Sequence, residues 1–536
     1  MPPPRSITIL GGGLSGLTAA YKLSKLLPSS SGSKITLIES TNRIGGWINS
    51  QRHEVEYLDP DRKGEVISGE VTIESGPRSI RPRGSEGARG MLRLLKDLDL
   101  TSSILPILFS HPAAKNRFLL DPSTSHLTAL PTSPLSLLSS NSPLLKGLLP
   151  SALKEPFHPQ IQGVSDESVD SFFSRRLSPA IARNLASSMV HGIYAASSKD
   201  LSVRSAFPSL WDAEQKYGSV VVGMLSGGSP SKKSKAEVER EEEELGELGR
   251  ESKKWSLYGL KGGLSSLTDR LYEEIQRSGN VEIRSNEAVK SIKSLSPSQT
   301  SQEGGNGMVE IETTQGKYTT DHIISALSSS TLSSLLSDRQ SLSHLDTNPY
   351  TSVGVVNLVY PLPPHQIHPA GFGYLISRSD PSSNPYGVLG VIFDSTAIPL
   401  STDVRGITKL TLMMGGPYWS SYSPNLIPPG SNEELIENSI NHLNTVFPHL
   451  RGVEPILKLG KINWDCIPTY TLNHGQRLRD LHRHIRDGEW DGKLSLVGNA
   501  YGGVGLNDCI FSSEGVVKEL MKGSKVTGLE RWETWE

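Results

Sequence analysis

Ser6-Ile7-Thr8-Ile9-Leu10-Gly11-Gly12-Gly13-Leu14-Ser15-Gly16 is the stretch that decides the fold. An apolar run passing straight into Gly-x-Gly-x-x-Gly predicts a buried strand, a tight turn and a helix that together bind a dinucleotide. Gly11 turns the chain off the strand, Gly13 lets backbone approach a pyrophosphate, and Gly16 lets the helix pack closely on the sheet. Gly12, Leu14 and Ser15 complete the turn. The phosphates then lie at the helix N-terminus, where unpaired N–H groups and the positive end of the helix dipole stabilise anionic oxygen.

Working outward, Leu14 to Leu27 carries apolar residues at helical spacing, and Lys34 to Ile38 reads as a second buried strand ending at Glu39. That glutamate stands about 20 residues past the turn, where a carboxylate accepts hydrogen bonds from ribose hydroxyls. Arg43-Ile44-Gly45-Gly46-Trp47 follows at once. An Arg-x-Gly-Gly in this place resembles the extended FAD fingerprint of the superfamily of amine oxidases, carotene desaturases and protoporphyrinogen oxidases. The cofactor that this resemblance implies is FAD, whose flavin ring does the redox chemistry.

With 536 residues, 36% of them hydrophobic, the chain has material for two or three domains with filled cores. A formal net charge of -2 supplies no general basic field, which argues against nucleic acid as a partner. Cys466 and Cys509 are too few for a disulfide framework, and no metal-ligand spacing or Ser-His-Asp set occurs. The first strand begins so early that a cleaved leader is not expected, and any organelle address is then internal. No apolar run reaches the ~20 residues that cross a bilayer.

Between Leu130 and Phe157, Leu pairs alternate with Pro and Ser and carry only Lys146 and Lys154 as cations. Short apolar helices with basic edges lie in a bilayer interface, and an ordinary helical subdomain over a cavity reads equally well. Val169 to Met189 and Ser202 to Leu225 read as helices. The acidic, Lys- and Ser-rich stretch 226–254 has no apolar face and reads as a disordered insertion, and 295–307 as a long hairpin tip. Residues 350–420 hold four apparent strands, which suits an antiparallel sheet flooring a ligand cavity. Near the end, Leu494 to Val497 runs into Gly498-Asn499-Ala500-Tyr501-Gly502-Gly503-Val504-Gly505-Leu506, a second strand-to-helix Gly-rich loop.

Further motifs carry a resemblance over nearly the whole chain: Glu74-Ser75-Gly76-Pro77-Arg78-Ser79-Ile80-Arg81-Pro82; His111-Pro112-Ala113-Ala114-Lys115-Asn116-Arg117-Phe118-Leu119; Ala206-Phe207-Pro208-Ser209-Leu210; and Gly503 to Cys509. The sequence is similar to the eukaryotic, oxygen-dependent protoporphyrinogen oxidases. The resemblance implies flavin contacts at Trp47, Ser79, Ile80, Arg81, Pro82, Val504, Gly505 and Leu506, with Val289 meeting the adenine. It implies that Arg117 pairs with a substrate propionate, that Phe372, Leu375 and Met413 wall the macrocycle, and that Gly192 faces it.

No side chain is expected to be catalytic beyond binding, since flavin N5 accepts the hydride. The alternatives are an amine oxidase, a polyene desaturase, or a non-catalytic flavoprotein that binds tetrapyrroles. The resemblance also implies a mitochondrial inner-membrane enzyme on the intermembrane side, a homodimer, and contact with a ferrochelatase. The fold expected is α/β: a Rossmann-like FAD-binding domain (1–90, 255–330, 461–536), an antiparallel-sheet substrate domain (331–460), and a helical, membrane-associated region (91–225).

Overall fold

A computed structural model describes residues 4–27, 30, 32–58, 64–131, 142–226, 235–296, 308–337, 342–400, 403–420 and 426–535. Its first sheet is built on the opening motif. Five parallel strands run in the order Leu494–Leu496, His322–Ser325, Ser6–Leu10, Lys34–Ile38, Val281–Arg284. Ile7, Ile9, Leu10, Ile35, Leu37, Ile323 and Ile324 are buried, as strands covered on both faces require. The chain leaves the central strand Ser6–Leu10 for Lys34–Ile38 on one side, with Val281–Arg284 beyond it, and adds His322–Ser325 and Leu494–Leu496 on the other. This reversal opens a crevice at the strand's C-terminal end, where the Gly-rich turn sits.

The helix Leu14–Leu26 follows that turn and buries Leu17, Ala19, Ala20, Tyr21 and Leu23. It packs against Leu506–Met521 and Ser265–Ser278. Each fully buried Leu contributes about 1.5–3 kcal/mol relative to exposure, so this three-helix layer fixes the turn firmly on its strand.

A seven-stranded sheet forms the second body, in the order Leu457–Pro468, Tyr350–Tyr360, Thr408–Gly415, Val388–Ile392, Gly373–Ile376, Phe118–Asp121, His126–Ala129. All its pairs are antiparallel except Gly373–Ile376 with Phe118–Asp121. Two of these strands come from the block 91–225 read as helical, which also holds Ile104–Leu108, paired with Trp255–Leu260. The correction has a simple cause: in 104–129 the apolar residues come in short runs cut by Pro and Gly-free turns, too brief for either period to show.

Helical pattern elsewhere breaks into shorter pieces. Val169 to Met189 becomes Val169–Arg176, a turn at Ser178, and a continuous stretch from Pro179 that passes through a π-helical segment, Ala182–Ala186, into Ser187–Tyr194. Ser202 to Leu225 becomes Val203–Ala206, Pro208–Tyr217 and Val220–Leu225, cut by Pro208 and Gly218.

The disordered insertion is the larger correction. Lys235–Leu245 and Glu247–Ser252 are helices, and Leu245 is buried. The acidic face meets the helix Ala88–Asp97: Arg89 pairs with Glu242 at 3.1 Å, Arg93 with Glu244 at 3.2 Å, and Lys96 donates to the Glu244 carbonyl at 2.6 Å. An acidic run without its own apolar stripe is ordered here by cations 150 residues away, which no local pattern reveals. Residues 227–234 lie outside the described residues, as do 132–141 of the Leu/Pro-rich stretch and 297–307 of the hairpin tip between Val289–Ser294 and Val309–Thr313. Among the described residues no helix is long and apolar enough to cross a membrane.

Candidate functional site

The Gly-rich turn is a crossing of bare backbones. Gly11 donates to the Ile38 carbonyl at 2.8 Å, and Gly45 donates to the Gly12 carbonyl at 2.8 Å. Gly13 and Gly45 form a parallel bridge, and a Cβ on Gly46 would lie 2.9 Å from the Gly13 Cα. Glu39 bonds into the same place, accepting from Gly12 N at 2.8 Å and from Thr41 N at 3.0 Å. Its backbone reaches across to the last strand, donating to the Arg284 carbonyl and accepting from Glu287 N, two residues before Val289. Adenosine-side candidates Glu39 and Val289 are thus neighbours along one edge of the crevice.

The other candidates gather beyond the opposite end of the turn. Trp47 is 53% exposed, and its carbonyl lies so close to Gly76 that no side chain fits there. From Gly76 the chain passes Ser79 and Ile80, whose N–H and C=O both pair with Tyr258 at 2.8 and 2.9 Å. Arg81 then accepts from Asn507 Nδ2 at 2.9 Å, which ties this loop, ending at the buried Pro82, to the N-terminus of Leu506–Met521. Gly505 caps that helix, and its N–H donates to Asp508 Oδ2 at 3.2 Å. Ser15 and Cys509 share a hydrogen bond, so the two helix N-termini stand side by side. Burial pushes the Cys509 thiol up to about 12, and it stays protonated.

The large sheet presents a row of its own. Leu119, Leu375, Gly390, Met413 and Val355 are successive cross-strand partners, hence on one face. Gly390 stands between Leu375 and Met413 and leaves room for the Leu375 side chain, since a Cβ there would meet Leu375 at 2.8 Å. The helix Ser187–Tyr194 lies across the row, with Gly192 against Leu375: a Cβ on Gly192 would stand 3.0 Å from both Leu375 methyls. Phe372 falls elsewhere, packed with Ile107, Ala113, Leu257 and Ile398. Its N–H donates to the Asn116 carbonyl at 2.9 Å, which places it beside Arg117.

Arg117 is half-buried and has no carboxylate or hydrogen-bond acceptor for its guanidinium among the described residues. Burial, and then the neighbouring Arg81 cation, pulls its pKa below the ordinary arginine value. Two cations held near each other without a counter-ion form a site for an anion, and a guanidinium keeps its charge there.

The sequence pattern of the flavin containing amine oxidoreductases matches residues 14–521. The human protoporphyrinogen oxidase is 34% identical over 95% of this chain and 96% of its own, and that of Schizosaccharomyces pombe 31% identical over 96% and 98%. A crystal structure of a putative protoporphyrinogen oxidase from Exiguobacterium superposes with a TM-score of 0.70 at 21% identity, over 97% of this chain and 99% of that one. The chain belongs to the flavin containing amine oxidoreductase family. It is an FAD-dependent oxidoreductase, and the bare-backbone crossing at Gly13 and Gly46 fits the pyrophosphate of that cofactor.

Within this family fold, several contacts at the site escape sequence reading. Gly390 gives way to Leu375 but sits unremarked inside an apolar strand. Arg43 spans the second Gly pair, donating to the Ile48 carbonyl at 2.9 Å and to the Gly46 carbonyl. Arg78 pairs with Asp394 at 2.7 Å, and Thr411 donates to the other Asp394 oxygen at 2.6 Å, which joins the cofactor loop to the large sheet. A cavity beside that pair is lined by Glu74, Phe372, Leu260 and Lys409. Burial raises the Glu74 carboxyl, against bonds from Leu264 N and Ser50.

Proposed function

We propose that this flavoenzyme oxidises protoporphyrinogen IX to protoporphyrin IX with molecular oxygen, releasing hydrogen peroxide, as a step of haem biosynthesis. The observation that carries the reading is the apolar row of Leu119, Leu375 and Met413, with Arg117 two residues before Leu119 and the Arg81 cation near it, neither with a carboxylate partner among the described residues. A large apolar macrocycle with carboxylate edges needs wide hydrophobic walls and a cation. The named activity of relatives aligned over nearly the whole chain supports it.

Bound FAD supplies hydride acceptance and is reoxidised by dioxygen. The three two-electron oxidations together take three hydrides from bridging carbons and three protons, two from pyrrole nitrogens and one from the fourth bridging carbon, and each dioxygen consumed leaves as one peroxide. The chain's part is positional: the apolar row holds the ring, Arg117 fixes its orientation through a propionate, and the apolar walls exclude water. Aerobic turnover followed by porphyrin fluorescence and peroxide together should give three peroxides per porphyrin. A flavin-loaded protein that forms no porphyrin would overturn the reading.

Arg117→Ala removes a charge-assisted pair worth about 1.5–3 kcal/mol, so kcat/KM for the porphyrinogen is expected to fall roughly ten- to hundred-fold. The loss should sit mainly in KM, with Arg117→Lys intermediate. An unchanged KM in Arg117→Ala would remove the propionate role.

The mitochondrial inner membrane, approached from its intermembrane side, is the location that fits this reading. Leu153 and Phe157 are 67% and 85% exposed, and Met224 and Leu225 are 65% and 83% exposed. Glu155 accepts from Val220 N at 3.0 Å and Val221 N at 3.2 Å, which sets the two apolar tips side by side. Lys154 and Lys216 flank them. Apolar tips with basic edges suit the acyl boundary of an anionic bilayer. Phe157→Asp with Leu225→Asp is expected to lower co-sedimentation with anionic liposomes at least about tenfold while turnover in detergent persists. Unaltered sedimentation would rule out this surface. A homodimer and a ferrochelatase contact accord with the same reading.

A further inference from the structure

The loop 498–505 before the last long helix is gripped from outside by side chains that the proposed reaction does not use. Tyr470 donates its hydroxyl hydrogen to the Asn499 carbonyl and accepts the Gly503 N–H at 3.0 Å. Trp532 donates its indole N–H to the Tyr501 carbonyl at 2.8 Å, and Arg531 Nη1 donates to the Gly502 carbonyl at 2.8 Å. Four backbone groups between Asn499 and Gly503 therefore have side-chain partners drawn from two separate parts of the chain.

Those partners are packed as one unit. The His474 ring lies parallel to Tyr470, with centroids 4.3 Å apart at 11°, and meets Trp532 edge-on at 5.6 Å and 90°. Tyr470, His474 and Trp532 are all buried. Burial, then Arg477 and Arg531, pushes His474 down to about 3, so it packs as a neutral ring. The far end is pinned as well: Trp535 lies 5.5 Å from Trp532 and under the Arg204 guanidinium at 3.8 Å, and its carbonyl accepts from Arg479 at 2.6 Å. Glu530 accepts from Thr527 N at 2.6 Å and so starts the turn Glu530–Trp532.

We propose that residues 530–535, with Tyr470 and His474, form a clamp that positions the flavin-facing loop, so that Tyr470, Arg531 and Trp532 are positioning residues for FAD. The clamp rests on the reading of Val504, Gly505 and Leu506 as flavin-facing. A loop with glycine at 498, 502, 503 and 505 has little stiffness of its own. Donors aimed at developing charge act well only when they are held before the reaction, and here the holding comes from the C-terminal segment. Arg531, besides bonding Gly502, adds a cation near the N-terminus of Leu506–Met521.

Trp532→Phe keeps the ring and deletes the donor, leaving the Tyr501 carbonyl unpaired; Tyr470→Phe does the same for two backbone groups. In the purified holoenzyme each is expected to release FAD roughly tenfold faster on dilution, read by fluorescence of the freed flavin, and to alter the visible flavin band. Arg531→Gln, a change at an exposed side chain, is expected to make the flavin potential more negative, and Arg531→Lys to restore part of it. Gly503→Ala, whose Cβ would run into Asp508, tests the loop itself. Should Gly503→Ala shed FAD while Trp532→Phe, Tyr470→Phe and Arg531→Gln keep parental release rates, spectra and potential, the clamp is wrong and the loop reading stands. Should Gly503→Ala also leave the flavin untouched, the loop reading falls and the clamp with it.

Discussion

Gly16→Ala is expected to yield protein that has lost nearly all its FAD. A Cβ at Gly16 would enter the space of the Gly11 carbonyl oxygen, and the Ile9 side chain stands 3.4 Å away on the same side. The obstacle is the backbone of the turn itself, which has no rotamer with which to yield. The helix Leu14–Leu26 must lift from its strand, which costs on the order of 1–3 kcal/mol in packing and moves the N–H groups away from the pyrophosphate. Occupancy measured by flavin absorbance after purification should fall at least about tenfold. Gly515→Ala is the companion, because nothing lies within 4 Å of a Cβ there and the residue is inside Leu506–Met521. It should keep its flavin and gain about 0.5–1 kcal/mol from reduced chain entropy. Full occupancy in Gly16→Ala would show that this crossing does not hold the cofactor.

The contrast between these two glycines shows what sequence makes legible. Gly16 announces itself because strand, turn and helix are adjacent in the chain, and each has its own period of apolar residues. The same holds for Lys34–Ile38, whose extent follows its local pattern. The acidic helix Lys235–Leu245 is illegible for the opposite reason. Its order depends on Arg89, Arg93 and Lys96, and charge complementarity between distant segments leaves no mark in either segment alone.

The candidate site divides in the same way. The Gly pairs, Glu39 and the Gly503–Leu506 loop are readable because backbone approach demands glycine and ribose demands a carboxylate. Leu375 and Met413 come from a resemblance, and their juxtaposition needs the register of three strands with Gly390 between them. Arg78 and Asp394 are 316 residues apart, and their bond decides how the cofactor loop meets the sheet. The clamp by Tyr470, Arg531 and Trp532 is a contact of the same long-range kind, built from residue types that read simply as core aromatics.

The second large effect is expected far from the flavin, at Arg176. This side chain is 1% exposed, as is Glu214, and Glu155 is 0% exposed. Arg176 Nε donates to Glu155 Oε1 at 2.6 Å, Nη1 reaches Glu214 at 3.3 Å, and the remaining donors go to the carbonyls of Glu155, His158 and Gly218. Removing one partner of a buried pair leaves an uncompensated charge, typically at a cost of about 3–5 kcal/mol. Arg176→Ala should therefore open the helical layer under Ser187–Tyr194, seen as faster local hydrogen exchange and a raised KM as Gly192 loses its backing. Arg176→Met with Glu155→Gln should recover part of the loss, since a glutamine oxygen in the place of Glu155 Oε2 still accepts from Ser219 and Val221.

The pH dependence gives an independent check. Burial alone would raise Glu155, but bonds from Ser219, Val220, Arg176 and Val221 hold it below the ordinary carboxylate value. A depressed carboxyl contributes stability above its unfolded value and loses it as pH falls through the folded one. Arg176→Ala removes one of the bonds that depress it, so acid loosening of this layer should begin at higher pH than in the parent. Identical acid profiles for the two proteins would mean that the ion pair is not what holds the layer.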